Sequence, residues 1–188
     1  MLDKPNNSCK NSRLMRFLLY LLIFFLIACS NEESMIKNFI QDNNLPFEEM
    51  KEVSILETID GKKKIELFAK QINRYLNSDI EIFLKDSVHV IFYNDSSKVI
   101  SVLTSDNATI DKYNVMKVYD NVILDNNNDK VLKCKELIWD EKINKIYTTN
   151  NVEIITNKET IYGKGFTSNT DFSEYTITSI TGSVNMKN

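Results

Sequence analysis

A unit of about thirty residues recurs four times in this chain, and a unit that short must stack on its neighbours to bury an apolar face. Residues 66–74 (ELFAKQINR), 102–110 (VLTSDNATI), 131–139 (VLKCKELIW) and 160–168 (TIYGKGFTS) align at steps of 36, 29 and 29 residues. The second column reads Leu67, Leu103, Leu132, Ile161; the fourth Ala69, Ser105, Cys134, Gly163; the seventh Ile72, Ala108, Leu137, Phe166. Branched aliphatic, small and apolar recur in that order. Each block is followed by a short motif: Ser87-Val88-His89-Val90, Asn121-Val122-Ile123-Leu124, Asn151-Val152-Glu153-Ile154 and Ser183-Val184-Asn185-Met186. The valine and the apolar residue two positions later share one parity, the period of a half-buried strand. Asn, Asp, Ser and Gly punctuate the chain every 8 to 12 residues from Phe47 onward, and no window sustains a helical stripe. The fold class predicted is therefore all-β, with antiparallel strand-turn-strand repeats stacked so that two inner faces meet across a long apolar interior. The small column has two readings: it lets the walls approach closely, or it leaves a lengthwise trough.

Composition agrees with a folded chain of another kind than a nucleic-acid binder. Apolar residues are 43% and aromatics 10% of 188, which is too rich for disorder. From Cys29 onward the chain carries 19 basic against 25 acidic side chains. A phosphate-backbone partner needs the opposite balance, so no nucleic acid is expected.

The first residues read as an address. Lys4, Lys10, Arg13 and Arg16 precede an unbroken apolar run, Phe17 to Ala28. Twelve residues at about 1.5 Å rise fall short of the roughly 30 Å bilayer core, which suits a signal peptide's apolar region better than a spanning helix. Its exit, Leu26-Ile27-Ala28-Cys29, resembles the bacterial lipobox, with Cys29 the thiol that takes the lipid. The organisation expected is a signal peptide over 1–28, a lipidated Cys29 and polar tether over 29–46, and a β domain over 47–188. Cys9 leaves with the signal peptide and Cys29 is lipidated, so Cys134 has no disulfide partner and reads as a buried thiol.

No catalytic or metal-binding pattern stands out. His89, the sole histidine, falls between Val88 and Val90 on the solvated parity of its strand. Asp125, Asn127, Asp129 and Glu136 match positions 1, 3, 5 and 12 of a calcium loop, but Lys130 stands where glycine is needed, so a polar hairpin turn is expected. No enzyme and no cofactor are predicted.

Leu103-Thr104-Ser105-Asp106-Asn107-Ala108, Asn121-Val122, Glu136-Leu137-Ile138-Trp139-Asp140, Ile146-Tyr147-Thr148, Gly163-Lys164-Gly165-Phe166-Thr167-Ser168 with Asp171-Phe172-Ser173, and Thr181-Gly182-Ser183-Val184 resemble the LptC family of lipopolysaccharide export proteins over roughly residues 45–186. The resemblance implies an open β-jellyroll, or β-taco, with a lengthwise hydrophobic groove. It implies a periplasmic protein held at the inner membrane that takes lipopolysaccharide from an ABC transporter of the LptB, LptF and LptG type. The lipid then passes to an LptA-like periplasmic bridge protein. Two features depart from the better-studied form: Cys29 replaces an uncleaved membrane anchor, and Asn121 stands where glycine often precedes the valine.

A carrier of this kind needs an apolar slot. The residues expected to line it are Leu67, Ala69, Leu84, Val88, Val90, Leu103, Val118, Val122, Leu124, Leu132, Cys134, Val152, Ile154, Ile161, Phe166, Val184 and Met186. About half are expected to reach solvent or ligand, and a charge at Val122 or Ile154 to block lipid while leaving the protein soluble. The final strand, Tyr175 to Met186, has no charge or proline to blunt its edge. Ser179, Ile180, Gly182, Val184 and Met186 are the expected partner edge, open to an added strand; the bland reading is a strand that only closes the sheet. The N-terminal edge near Glu52 to Ile59 would face the transporter. The alternative function is an acylated β-rich scaffold or assembly lipoprotein with a closed core.

Overall fold

The computed structural model of the protein describes residues 46–76 and 78–185. The signal peptide, Cys29, the tether up to residue 45, and Met186 lie outside the described residues.

Among the described residues eleven strands form one antiparallel sheet: β1 (Glu48–Ile59), β2 (Lys62–Arg74), β3 (Ile80–Lys85), β4 (Val88–Tyr93), β5 (Val99–Ser105), β6 (Asn107–Asp111), β7 (Val115–Asp125), β8 (Lys130–Asp140), β9 (Lys145–Thr156), β10 (Glu159–Ser168) and β11 (Tyr175–Asn185). Only Asp86 and Ser87 separate β3 from β4, and only Asp106 separates β5 from β6. Both halves of β3–β4 pair with β2, and β5–β6 pairs with both. The path is thus a meander of nine long passes. The four repeats are its four hairpins after β1: β2 with β3–β4, β5–β6 with β7, β8 with β9, and β10 with β11.

Short polar side chains close the turns. Asp60 and Gly61 take positive φ values of 51° and 73° in the β1–β2 hairpin, the conformation that an Asp-Gly pair supplies at low cost. Asn126 Oδ1 accepts N–H groups of Asn128, Asp129 and Lys130 in the β7–β8 turn, and Asp125 Oδ1 accepts that of Asn127. Those oxygens serve the turn itself, and Glu136 lies well along β8, paired with Lys117 at 2.7 Å. Asp111 and Asp140 close two further turns in the same way.

Irregularities fall in mid-strand and bend the sheet into two arms. The register shifts between Tyr119 and Val122 on β7, between Cys134 and Ile138 on β8, and between Lys164 and Phe166 on β10. Asp86, Ser87, Asp120, Asn121 and Gly165 have positive φ along this line. Bulges increase local twist and let a strand turn a corner. The walls facing each other are therefore halves of one continuous sheet. Asn121 explains its own substitution: at φ 51° it occupies the left-handed region that asparagine tolerates, and its amide donates to Asp106 Oδ2 at 2.6 Å.

Three apolar rows run across the strands on the inner faces. The first passes through Leu67, Val90, Leu103, Leu124, Leu132, Ile154 and Ile161, each the cross-strand partner of the next. The second, beside the bend, includes Val53 with Ala69, Val88 with Ser105, and the run Val122, Cys134, Val152, Gly163. On the opposite arm Met50, Ile72, Leu84, Ala108, Val118 and Leu137 form the third, continued by Thr148, Phe166 and Ile177. These rows are the second, fourth and seventh columns of the repeat, and together they make one core.

One strand departs from the predicted parity. Tyr162 pairs with Gly182 but Gly163 with Ile180, so Thr181 is an extra residue on β11. That bulge sets Ser183 beside Ile161 and turns Val184, 59% exposed, to the outer face with Thr160. Val184 does not line the interior, contrary to the expectation for it, because a one-residue slip moves every later side chain to the other face.

Candidate functional site

The residues expected to form the slot come together along the inner faces of the two arms. Ala69, Leu84, Val88, Val90, Leu103, Val118, Val122, Leu124, Leu132, Val152, Ile154 and Phe166 are buried. Leu67, Cys134 and Ile161 are partly buried and pack against them. Val184 faces outward, and Met186 lies outside the described residues. Residues that were not singled out complete the lining: Ile72, Ala108 and Leu137 in the third row, then Met116, Trp139 and Ile146 towards the strand ends. The seventh column carried the signal for the first three; the other three had none in the repeat.

At Gly163 the small column lets the neighbouring strand come close. An added Cβ at Gly163 would stand 2.5 Å from Ile177 Cγ2 and 2.8 Å from the Ser179 carbonyl oxygen, so β11 sits tightly over this point. Cys134 donates its thiol to the Glu136 carbonyl at 3.3 Å, and burial pushes its pKa up to about 12. At neutral pH it is a protonated, apolar-lined thiol with no nucleophilic character. His89 is exposed on the outer face, its ring 3.1 Å from the Ser87 hydroxyl.

Opposite the bend the arms meet at a mouth. Phe92 of β4 and Trp139 of β8 touch edge to face, ring centroids 5.1 Å apart. The loop Asn169–Glu174, between β10 and β11, crosses beside them as a strap. Ser101 of β5 donates to the Thr170 carbonyl, Thr170 Oγ1 donates to Asn144 Oδ1 at 3.2 Å, and Lys130 Nζ donates to the Ser173 carbonyl at 3.1 Å. Phe172 at the centre of the strap is completely buried with φ 52°, and packs on Phe166 and Tyr175 at 5.4 Å. The slot is thus largely closed and strapped, where the sequence led to the expectation of an open groove with about half of its lining residues reaching solvent or ligand.

Both long edges of the sheet are free of strand partners among the described residues. β1 pairs only with β2 and β11 only with β10. Ile55, Leu56 and Ile59 on β1, and Ile180 and Val184 on β11, are exposed.

A family model described as "Lipopolysaccharide-assembly, LptC-related" matches residues 17–184. The chain belongs to the LptC family. Membership assigns it to lipopolysaccharide transport, a process of the periplasm and inner membrane, and agrees with the all-β jellyroll-like sheet. No curated protein matches the chain. The match begins at Phe17, so the LptC model includes the apolar run before Cys29. Among the described residues no helix is long and apolar enough to cross a membrane.

Proposed function

We propose that this LptC-family chain carries the acyl chains of lipopolysaccharide between its two arms, receiving them at the β1 edge and releasing them at the β11 edge. The observation that supports this most is the first inner row, seven apolar side chains partnered across consecutive passes from Leu67 to Ile161. With strands about 4.8 Å apart, the seven passes of this row make an apolar path of roughly 29 Å. Each methylene transferred from water to such a path gains about 0.8 kcal/mol. In this reading the donor is the inner-membrane ABC transporter, whose ATP hydrolysis supplies the energy, and the chain needs no cofactor. The acceptor is an LptA-like bridge protein that adds a strand to β11, where Ser179, Ile180 and Gly182 supply free backbone groups. Cys29 carries the lipid anchor, residues 1–28 are the signal peptide and 29–46 the tether.

The burial of most of the row residues favours a second reading, a lipidated scaffold whose core never opens. In-cell photocrosslinking separates the two. A photoreactive residue at Ile161 or Cys134, on the inner face, is expected to capture lipopolysaccharide, while one at Tyr162 or Lys164, on the outer face, is not. Equal capture from both faces, or none from the inner one, contradicts the carrier.

A further inference from the structure

The mouth holds a cavity of about 390 Å³. Ile65, Phe92 and Ile100 line it from one arm, Trp139 from the other, and Thr170 and Asp171 from the strap. Most of its polar groups are already engaged: Lys64 pairs with Asp95, the Tyr93 hydroxyl donates to Glu66 at 2.6 Å, and Asn144 accepts from Thr170. Trp139 differs. It is 9% exposed, and its buried indole N–H has no hydrogen-bond partner among the described residues. A buried donor left unmet costs about as much as the hydrogen bond it forgoes, so a small turn of this ring, which itself lines the cavity, would bring the covered N–H to an acceptor placed there.

The surroundings define that acceptor. Glu57 and Glu141 stand at the cavity with Asp171, and burial, then the charge of Glu141, holds the Glu57 carboxyl above its ordinary range. A site that already disfavours one carboxylate disfavours an added phosphate or free fatty acid. The walls below are aliphatic and aromatic. We propose that the mouth binds the ester or amide carbonyl of an acyl chain, with the Trp139 indole N–H as donor and the tail lying along Ile65, Phe92 and Ile100. This rests on the carrier reading and adds what it lacks, a polar point that fixes where along its length the lipid is held.

Trp139 is the sole tryptophan, so the isotope-labelled full chain gives one indole N–H resonance. Monolauroylglycerol, which has an ester carbonyl, is expected to move that resonance downfield saturably. 1-Dodecylglycerol, its ether analogue, is expected to bind about fivefold more weakly, the worth of one such hydrogen bond, without the shift. Trp139→Phe should bind ester and ether alike. A stationary indole signal at saturating ester, equal affinity for ester and ether in the unaltered chain, or tighter binding of dodecyl phosphate overturns the site. The first of these needs no variant. Displacement of the bound ester by lipopolysaccharide at lower concentration than by lysophosphatidylglycerol assigns the carbonyl to lipopolysaccharide; the reverse order overturns that assignment. Failure here with normal lipid capture from Ile161 rejects the mouth site alone, whereas loss of both rejects the carrier.

Discussion

Ile154→Asp is expected to remove the cooperative unfolding transition or to lower stability by roughly 5 kcal/mol, since it combines the loss of a buried aliphatic side chain with an unpaired buried charge. Ile154 is fully buried between Leu132 and Ile161 in the first row, and no basic side chain stands in that row. A domain of this size has about 5 to 15 kcal/mol in total, so the variant should be largely unfolded. Ile123→Asp is the matched control: Ile123 lies on the outer face of β7 at 37% exposure, and its replacement should cost about 1 kcal/mol or less. Urea denaturation followed by circular dichroism reads both. A stable Ile154→Asp protein would mean that the arms part readily enough to hydrate the row. The sequence-based expectation that a charge at Val122 or Ile154 blocks lipid and leaves the protein soluble rests on an open slot.

Phe172→Ala is expected to cost about 3 to 5 kcal/mol, the range for a fully buried phenylalanine. Phe172 is the only strap residue that is completely buried, and its aromatic contacts join β10 to the start of β11. Without it the strap keeps its hydrogen bonds to Ser101, Asn144 and Lys130 but loses its anchor in the core. Amide hydrogen exchange should therefore accelerate in residues 169–175 before it does so in β8 and β9. Phe172→Leu should recover more than half of the lost stability. A loss below about 1 kcal/mol for the alanine variant, measured by the same denaturation, contradicts the role given to the strap.

The rows were legible because antiparallel pairing turns a repeated column into a physical line. Leu67, Leu103, Leu132 and Ile161 share a column, and each is tied through Val90, Leu124 or Ile154 to the next. Turn chemistry was legible too, since Asn126 and Asp111 act only on groups within four residues. Two things escaped. The bulge at Thr181 that turns Val184 outward has no local signature beyond an adjacent Gly182, and parity arguments fail at the first undetected insertion. The closure of the mouth escaped because it depends on contacts far apart in sequence: Phe172 is one aromatic in a polar loop, and Ser101 meets Thr170 across 69 positions. Trp139 stood in the repeat's last column, but its unmet N–H is a property of packing and cannot be seen in a column of residue types.

The central claim is that acyl chains lie between the arms. Intermolecular nuclear Overhauser effects between lipopolysaccharide acyl methylenes and protein methyl groups test it most directly. The account predicts contacts to Leu103, Leu124, Leu132, Ile154 and Ile161. Contacts confined to the outward methyls of Ile123 and Val184, with the inner methyls silent, would contradict it.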